Sequence, residues 1–265
     1  MSTYLNPSPV FGPVHSRRLG VSLGVNLMPA MGKICSFDCI YCENGLNEEH
    51  RTKDPYVTLP ELTQALEGAL SQMGEGGETP DVITFAGNGE PTTSPIFPEA
   101  IATARQLRDR YCPSARVAVL SNGAYADRPR VREALMGVED NILKLDTVDA
   151  DYIRLLDRPA GDYDVKRQVE TFASYGGHVI IQTIFLTGTV WGHDMDDTGE
   201  HYVGPWLHAL ERIRPSGVTV YTIARDTPEP GLHKASPEAL TERIALGKQS
   251  RPTVRHLDDK ALHAF

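Results

Sequence analysis

Three closely spaced cysteines constrain this chain more than any other feature of its sequence. They lie in the stretch Cys35-Ser36-Phe37-Asp38-Cys39-Ile40-Tyr41-Cys42, the cysteine loop, which carries an aromatic residue directly before its last cysteine. Spacings this short let one loop direct three thiolates at a single inorganic centre. Three thiolates can hold three irons of a 4Fe–4S cluster and leave the fourth iron open to a substrate or cofactor. The alternative is a zinc site in which His15 or His50 supplies the fourth ligand.

A second motif follows the next predicted strand. The mostly apolar stretch 81–86 predicts a buried parallel strand, and Gly87-Asn88-Gly89-Glu90-Pro91, the glycine motif, comes directly after it. Glycines let a backbone approach a ligand closely. Alone, such a turn is most often only a connection between a strand and a helix. Because it follows one strand after the cysteine loop, the motif is a far more specific signal. The two motifs together favour an iron–sulfur cluster over a zinc site.

Apolar stretches alternate with helical patterns along the remainder of the chain. The strands are predicted over residues 19–27, 81–86, 116–120, 141–146, 178–186 and 217–223. Strands that alternate with helices imply a parallel sheet with right-handed crossovers. We therefore expect an α/β fold, a partial (β/α)6 barrel of the TIM type with parallel strands.

The domain organisation is predicted to be simple. A chain of 265 residues suits one α/β barrel domain, here residues 1–265. Residues 1–18 are expected to be an extended lead-in and 187–199 a loop over the barrel mouth, the face where the strands end. Residues 226–265 are predicted to be a C-terminal extension with one helix. A capping box, Thr58-Leu59-Pro60-Glu61, predicts where the first long helix begins.

Polar residues stand near the ends of the later strands, which in a parallel barrel form the catalytic face. Ser121 and Asn122 close the third predicted strand. Lys144 and Asp146 are two residues apart in the fourth, so their side chains share one face. They are candidates for a cofactor site, with a structural ion pair as the alternative. Gln182 is a candidate on the fifth strand.

Several stretches together resemble a known superfamily. The cysteine loop and the glycine motif resemble the cluster loop and the Gly-Gly-Glu-Pro motif of radical S-adenosylmethionine (SAM) enzymes. The stretches 11–20, 35–42, 89–92 and 220–225 also resemble the branch grouped with the tRNA wyosine-base (imidazoguanosine) synthases. These matches extend over nearly the whole predicted catalytic domain.

The resemblance implies a cofactor set and a reaction. Cys35, Cys39 and Cys42 would hold a 4Fe–4S cluster, and SAM would chelate its open iron. An electron from the cluster, supplied by a reducing partner such as flavodoxin or ferredoxin, would cleave SAM to a 5′-deoxyadenosyl radical that takes hydrogen from a substrate. The implied SAM contacts are Tyr41, Gly87, Asn88, Gly89, Glu90, Ser121, Asn122, Lys144, Asp146, Gln182, Tyr221 and Ile223. For Tyr221 and Ile223, which would lie near the adenine, plain core packing is the alternative.

Substrate contacts are predicted from arginines and from one loop. Arg17, Arg18 and Arg225 are candidates because arginine pairs with carboxylates and phosphates, while surface charge is the alternative reading for Arg17 and Arg18. The stretch with Trp191, His193 and Asp194 is a candidate lid or partner surface.

Charge and cysteine count bear on the substrate. The formal net charge of −9 disfavours tRNA, for which a basic face is expected. Wyosine synthases build a second cluster from further cysteines, whereas only Cys112 remains here. A small-molecule substrate is therefore favoured. A tRNA-modifying enzyme and a non-enzymatic zinc or iron–sulfur binding module stay open as alternatives. Lys33 can in principle form a Schiff base with a keto acid, but a lysine there is more often solvated.

Sequence signals of location are few. An intact three-thiolate loop suits a reducing cytosol. The first residues lack a basic segment followed by an apolar run, and no stretch of about 18 apolar residues occurs. We therefore predict a cytoplasmic protein without a membrane span.

Overall fold

Eleven strands and seven helices make up the part of the chain that the computed structural model describes, residues 4–16, 19–250 and 254–256. The strands are β1 (Val10–Ser16), β2 (Gly20–Val25), β3 (Val82–Phe85), β4 (Arg116–Ser121), β5 (Asp140–Lys144), β6 (Ile180–Ile184), β7 (Leu186–Val190), β8 (His193–Asp194), β9 (Gly217–Tyr221), β10 (Leu232–Lys234) and β11 (Val254–His256). The helices are α1 (Leu59–Glu75), α2 (Phe97–Tyr111), α3 (Pro129–Met136), α4 (Ala150–Leu156), α5 (Val165–Ala173), α6 (Glu200–Ile213) and α7 (Pro237–Ser250).

The main sheet has the order β1-β2-β3-β4-β5-β6-β9-β11. All neighbours from β2 to β11 pair in parallel, and only β1 pairs antiparallel, with β2. The six strands predicted from sequence correspond to β2, β3, β4, β5, β6 and β9, joined by helical crossovers. The predicted α/β fold with parallel strands is therefore confirmed.

Helix α1 illustrates how the outer layer is built. The capping box forms as predicted: the Glu61 carboxylate accepts hydrogen bonds from the Thr58 backbone N–H (2.8 Å) and hydroxyl (2.7 Å). Leucines at intervals of four then bury one face of the helix against the sheet, namely Leu62, Leu66 and Leu70. Each buried leucine contributes about 1.5–3 kcal/mol. None of the helices within the described residues is both long and apolar enough to cross a membrane.

Two segments have more regular structure than the sequence pattern predicts. Strand β1 lies in the expected lead-in, where its alternation is interrupted by Gly12-Pro13 and by an irregularity of register between Phe11 and Val14. Proline is tolerated there because β1 is an edge strand. Arg17 and Arg18 lie outside the described residues.

The expected loop 187–199 instead contributes to a second sheet, of order β10-β7-β8. Strands β7 and β10 can pair in this sheet because their backbones approach each other closely at two glycines. A Cβ at Gly188 would lie 2.1 Å from the Gly231 carbonyl oxygen, and one at Gly231 would lie 2.1 Å from the Thr189 carbonyl oxygen. Glycine at both positions removes this obstacle. The predicted C-terminal extension contains β10 and β11 as well as α7.

Candidate active site

The cysteine loop and the glycine motif meet at the barrel mouth around one cavity of about 260 Å³, the cofactor cavity. Of the residues predicted to hold the cluster or SAM, those that line it are Cys35, Cys39, Cys42, Tyr41, Gly87, Gly89, Glu90, Ser121, Asn122, Lys144, Gln182 and Tyr221. Three others, Asn88, Asp146 and Ile223, do not line it. Residues from five strand ends and one loop thus converge on one cavity.

The cysteine loop is held from two sides by backbone hydrogen bonds. On one side the Ile34 N–H donates to the Asn88 carbonyl (3.1 Å), and the Glu90 N–H donates to the Ile34 carbonyl (3.0 Å). On the other side the loop bonds to the end of α4 and the residues after it, through Asp38 N–H to Asp157 O (3.0 Å) and Ala160 N–H to Ser36 O (2.8 Å). The three cysteines therefore project from a fixed backbone.

The glycines of the glycine motif are required by this contact. Gly89 has φ +131°, and a Cβ there would lie 1.9 Å from the Ile34 carbonyl oxygen. Gly87 has φ +133°, and a Cβ there would lie 2.6 Å from Asn26 Oδ1. Both conformations are ones that residues with a Cβ rarely adopt. The glycines therefore let the motif pass directly against the cysteine loop and Asn26.

The Glu90 carboxylate joins the ends of β3 and β4. It is 2% exposed and accepts hydrogen bonds from the backbone N–H (3.0 Å) and hydroxyl (2.5 Å) of Thr92, the Ser121 hydroxyl (2.7 Å) and the Asn122 N–H (2.7 Å). Burial raises the pKa of Glu90, and these hydrogen bonds oppose that rise. Because four protein groups donate hydrogen bonds to it, the carboxylate holds the ends of β3 and β4 together and is not free to extend into the cavity.

Replacing Glu90 with glutamine is expected to destabilise the protein by about 2–3 kcal/mol. The amide NH₂ would replace one carboxylate oxygen, so buried donors that now bond to that oxygen would lose their acceptor. We also expect SAM affinity to fall about tenfold, since Ser121 and Asn122 lose their anchor. Urea unfolding and calorimetric titration with SAM measure the two effects. Glu133→Gln, at an exposed position on α3, is the control. Unchanged stability and SAM affinity would remove Glu90 from this role.

Lys144, Asp146 and Tyr41 form a polar network beside the cysteines. The Lys144 ammonium lies 3.3 Å from an Asp146 carboxylate oxygen, pairs with Asp157, and lies 2.9 Å from Cys39 Sγ. The Tyr41 hydroxyl donates to the same Asp146 carboxylate oxygen. Burial raises the pKa of Asp157, and the Lys144 charge opposes that rise. The ion pair that sequence analysis left open is thus formed, within the wall of the cavity.

The remaining predicted residues occupy different places. Tyr221 is half-buried next to Gln182 and Tyr41, and desolvation there raises its pKa. Ile223 packs against a hydrophobic cluster that includes Ile40. At the mouth Arg225 pairs with Glu43 at 2.9 Å, and its guanidinium lies 5.4 Å from the ring centre of Tyr4.

The β7–β8 segment places Trp191 and its neighbours at the surface. Trp191 is 56% exposed, with the Arg158 guanidinium 5.6 Å from its ring centre. His193 and Asp194 are exposed as well. A lid or partner surface at this position therefore stays a prediction.

Lys33 differs from the expected solvated lysine. It is only 4% exposed, and its ammonium donates to the Gly45 carbonyl at 2.5 Å. The expectation was wrong because the chain continues past the third cysteine and folds back over Lys33, which local sequence does not reveal.

The first residues of the chain, predicted only as a lead-in, also contribute to the site. Tyr4 and Asn6 line the cofactor cavity. The buried Asn88 side chain accepts a hydrogen bond from the Asn6 N–H (2.7 Å) and donates to the carbonyls of Asn6 (3.0 Å) and Pro29 (3.0 Å). Apart from Asn6 itself, nothing in the Pro- and Ser-rich start of the chain signals this contact.

The donor set on the cavity fits an iron–sulfur cluster. Cys35, Cys39 and Cys42 are free, partly buried thiols on one wall, which is the ligand type that such clusters use. Neither His15 nor His50 lines this cavity. Across the described ranges, no group of three or more His, Cys, Asp or Glu side chains is arranged to hold a single metal ion.

Comparisons of sequence find curated relatives, although no protein-family model matches the chain. The chain is 32% identical over 188 residues to a UPF0026 protein from Helicobacter pylori, covering 69% of this chain and 58% of that protein. It is 31% identical over 242 residues to a UPF0026 protein from Methanocaldococcus jannaschii, covering 89% of this chain and 70% of that protein. The chain thus spans little more than half of the Helicobacter relative.

Comparisons of structure find the same barrel in radical SAM proteins. A radical SAM methyltransferase from Sphaerobacter thermophilus matches with a TM-score of 0.65 at 17% identity, over 89% of this chain and 66% of that one. Streptococcus suis SuiB bound to its precursor peptide SuiA matches with a TM-score of 0.60 at 14% identity, over 88% of this chain and 48% of that one. TYW1 with a lysine–pyruvate adduct bound matches with a TM-score of 0.54 at 14% identity, over 87% of this chain and 74% of that one. These likenesses establish a fold common to radical SAM proteins without singling out the wyosine branch.

Proposed function

The chain belongs to the UPF0026 family, and from its site we propose that it is a radical SAM enzyme that acts on a small molecule. One observation carries the proposal. Three free cysteines and a glycine motif, more than 40 residues apart in sequence, line the same cavity, and backbone hydrogen bonds at Ile34, next to the first cysteine, join the two segments. A cysteine-bound cluster and a ligand held by the motif would then lie side by side.

We assign the groups as follows. Cys35, Cys39 and Cys42 would hold the cluster, and the residues predicted from the resemblance would surround SAM. When bound, a reduced 4Fe–4S cluster and SAM supply a 5′-deoxyadenosyl radical, which can take hydrogen from a substrate. The four hydrogen bonds to the Glu90 carboxylate favour a structural role for this residue. It would hold in place the two strand ends against which SAM would rest.

The chain's own contribution is placement and exclusion of water. Tyr4, Asn6, Tyr41 and Tyr221 line the cofactor cavity. Closing a radical site with aromatic and amide groups prevents side reactions with solvent. The free cysteines favour a reducing compartment, so we place this activity in the cytoplasm.

A small-molecule substrate is supported by charge and by the arginine at the mouth. The net charge of −9 disfavours a polyanionic substrate such as tRNA. Arg225 lies at the mouth and is oriented by Glu43 at 2.9 Å. A substrate carboxylate or phosphate would bind there by replacing Glu43 as the partner of this arginine. Arg17 and Arg18 remain further candidates from sequence.

The test is anaerobic. We would reconstitute the protein with iron and sulfide, reduce it with dithionite, add SAM and measure 5′-deoxyadenosine by chromatography. We expect its formation, and faster formation with a substrate. A protein that loads iron but neither binds nor cleaves SAM would contradict the proposal. Binding of tRNA that weakens steeply with salt would instead favour the tRNA-modifying alternative.

A further inference from the structure

Nitrogen donors lie beside the cysteine sulfurs, and each comes from a different residue. The Lys144 ammonium is 2.9 Å from Cys39 Sγ. The Asn122 side-chain amide is 3.8 Å from Cys35 Sγ, within the range of a hydrogen bond to sulfur. Both donors come from the ends of strands that face the cavity. Two of the three sulfurs are therefore approached from the sheet.

A third nitrogen group near the cysteines is the Lys33 ammonium. Lys33 stands two residues before Cys35 and is almost completely buried. Burial lowers the pKa of its ammonium, but the charge of the nearby Cys42 and of the other two cysteines raises it more. The ammonium donates to the Gly45 carbonyl at 2.5 Å. Burying a lysine away from water is costly unless its donors are used. Its place under the cysteine loop therefore calls for a role beyond solubility.

These donors are held in place by other contacts. Lys144 is fixed by the carboxylates of Asp146 and Asp157. The Asn122 amide also donates to the Ser36 hydroxyl at 2.9 Å, and its backbone N–H donates to Glu90 at 2.7 Å. The donors thus keep their positions independently of any group on the cysteines, which is the arrangement expected of residues that tune a bound centre.

We propose that Lys33, Lys144 and Asn122 are positioning residues that raise the reduction potential of the cluster, Lys144 and Asn122 as N–H donors to Cys39 and Cys35 and Lys33 as a buried positive charge beside the cysteine loop. The inference rests on the proposed function, because it requires a cluster on Cys35, Cys39 and Cys42. Adding an electron increases the negative charge on the sulfurs, and N–H donors stabilise that charge. Hydrogen bonds to the sulfurs are among the factors that set the potential of such clusters.

The test is a redox titration of the reconstituted cluster, followed by electron paramagnetic resonance. In Lys33→Met and in Lys144→Met we expect the ratio of reduced to oxidised cluster at a fixed potential to fall at least tenfold, which is 59 mV for one electron. Lys166→Met, at an exposed position on α5, is the matched control and should leave the ratio unchanged. Cluster loading with unchanged ratios in both variants overturns the proposal.

A second pair of variants covers a failure to load iron. Lys144→Met leaves two buried carboxylates unpaired, whereas Lys33→Met removes a donor to a carbonyl, so the latter is the milder change. If neither methionine variant loads iron, Lys33→Gln and Lys144→Gln keep an N–H donor without the charge. A neutral amide stabilises added negative charge less than an ammonium does, so restored loading with a lowered ratio supports the proposal and restored loading with an unchanged ratio overturns it. If the glutamine variants also fail to load iron, the lysines act only in folding and the proposal is overturned.

Failure of this inference differs from failure of the proposed function. If the wild-type protein takes up no 4Fe–4S cluster, the proposed function is wrong and no potential exists to tune. If the wild type forms the cluster and cleaves SAM but the lysine variants keep its potential, only the tuning role is wrong.

Discussion

Replacing Cys39 with alanine is expected to remove most of the iron from the reconstituted protein and all detectable SAM cleavage. Two thiolates cannot retain a 4Fe–4S cluster in place of three, and Cys112, the remaining cysteine, is buried between α2 and β4 as part of the hydrophobic core. The loss should be complete and not partial, because no other thiol lines the cavity. Iron and sulfide assays, the visible absorption of the cluster and the 5′-deoxyadenosine assay measure it.

The chain contains its own control for this change. Cys112→Ala alters a buried cysteine that does not line the cofactor cavity, so iron content and SAM cleavage should match the wild type, with a loss of about 1 kcal/mol of stability from the vacated volume. Full iron and normal SAM cleavage in Cys39→Ala would show that the cysteine loop is not the cluster site. Tightly bound zinc in the wild type would favour the binding-module alternative.

Replacing Gly89 with alanine is expected to be nearly as damaging, without touching any proposed ligand. The new Cβ would lie 1.9 Å from the Ile34 carbonyl oxygen, a backbone atom that cannot move aside cheaply. The positive φ of +131° adds strain. Together these should cost at least about 3 kcal/mol of stability and separate the glycine motif from the cysteine loop. We expect SAM binding to be lost, as measured by calorimetry on the reconstituted protein.

Gly68→Ala is the matched control for this prediction. Gly68 is exposed on α1, and a Cβ there would meet no atom within 4 Å. Alanine is favoured over glycine inside a helix, so this variant should gain about 0.5–1 kcal/mol and keep normal SAM binding. Equal stability and SAM binding in Gly89→Ala and Gly68→Ala would mean that the close passage at Ile34 is not important.

The main sheet and the centre of the site were predictable because their signals are local. Apolar stretches mark β3 and β4, and the residues that follow each strand must reach the same face of a parallel sheet. Three cysteines within one loop and glycines at positive φ are equally local features. For this reason the cysteine loop and Gly87–Glu90 could be placed together before any contact was known.

The parts that escaped prediction depend on contacts distant in sequence. Strand β1 exists because it pairs with β2 despite Gly12-Pro13, and the β7–β10 pairing relies on two glycines about 40 residues apart. The burial of Lys33 arises from residues that follow the cysteine loop. No periodicity encodes such contacts, so pattern alone gave a lead-in, a loop and a solvated lysine.

The link between Asn6 and Asn88 also imposes an order on assembly during translation. The two residues are 82 positions apart, so the start of the chain must wait for Asn88 to leave the ribosome before it can dock. At about 5–20 residues per second, that wait lasts roughly 4–16 s. The cysteines are synthesised well before this wall of their cavity closes. A nascent chain thus presents an open cysteine loop first and a sheltered one later.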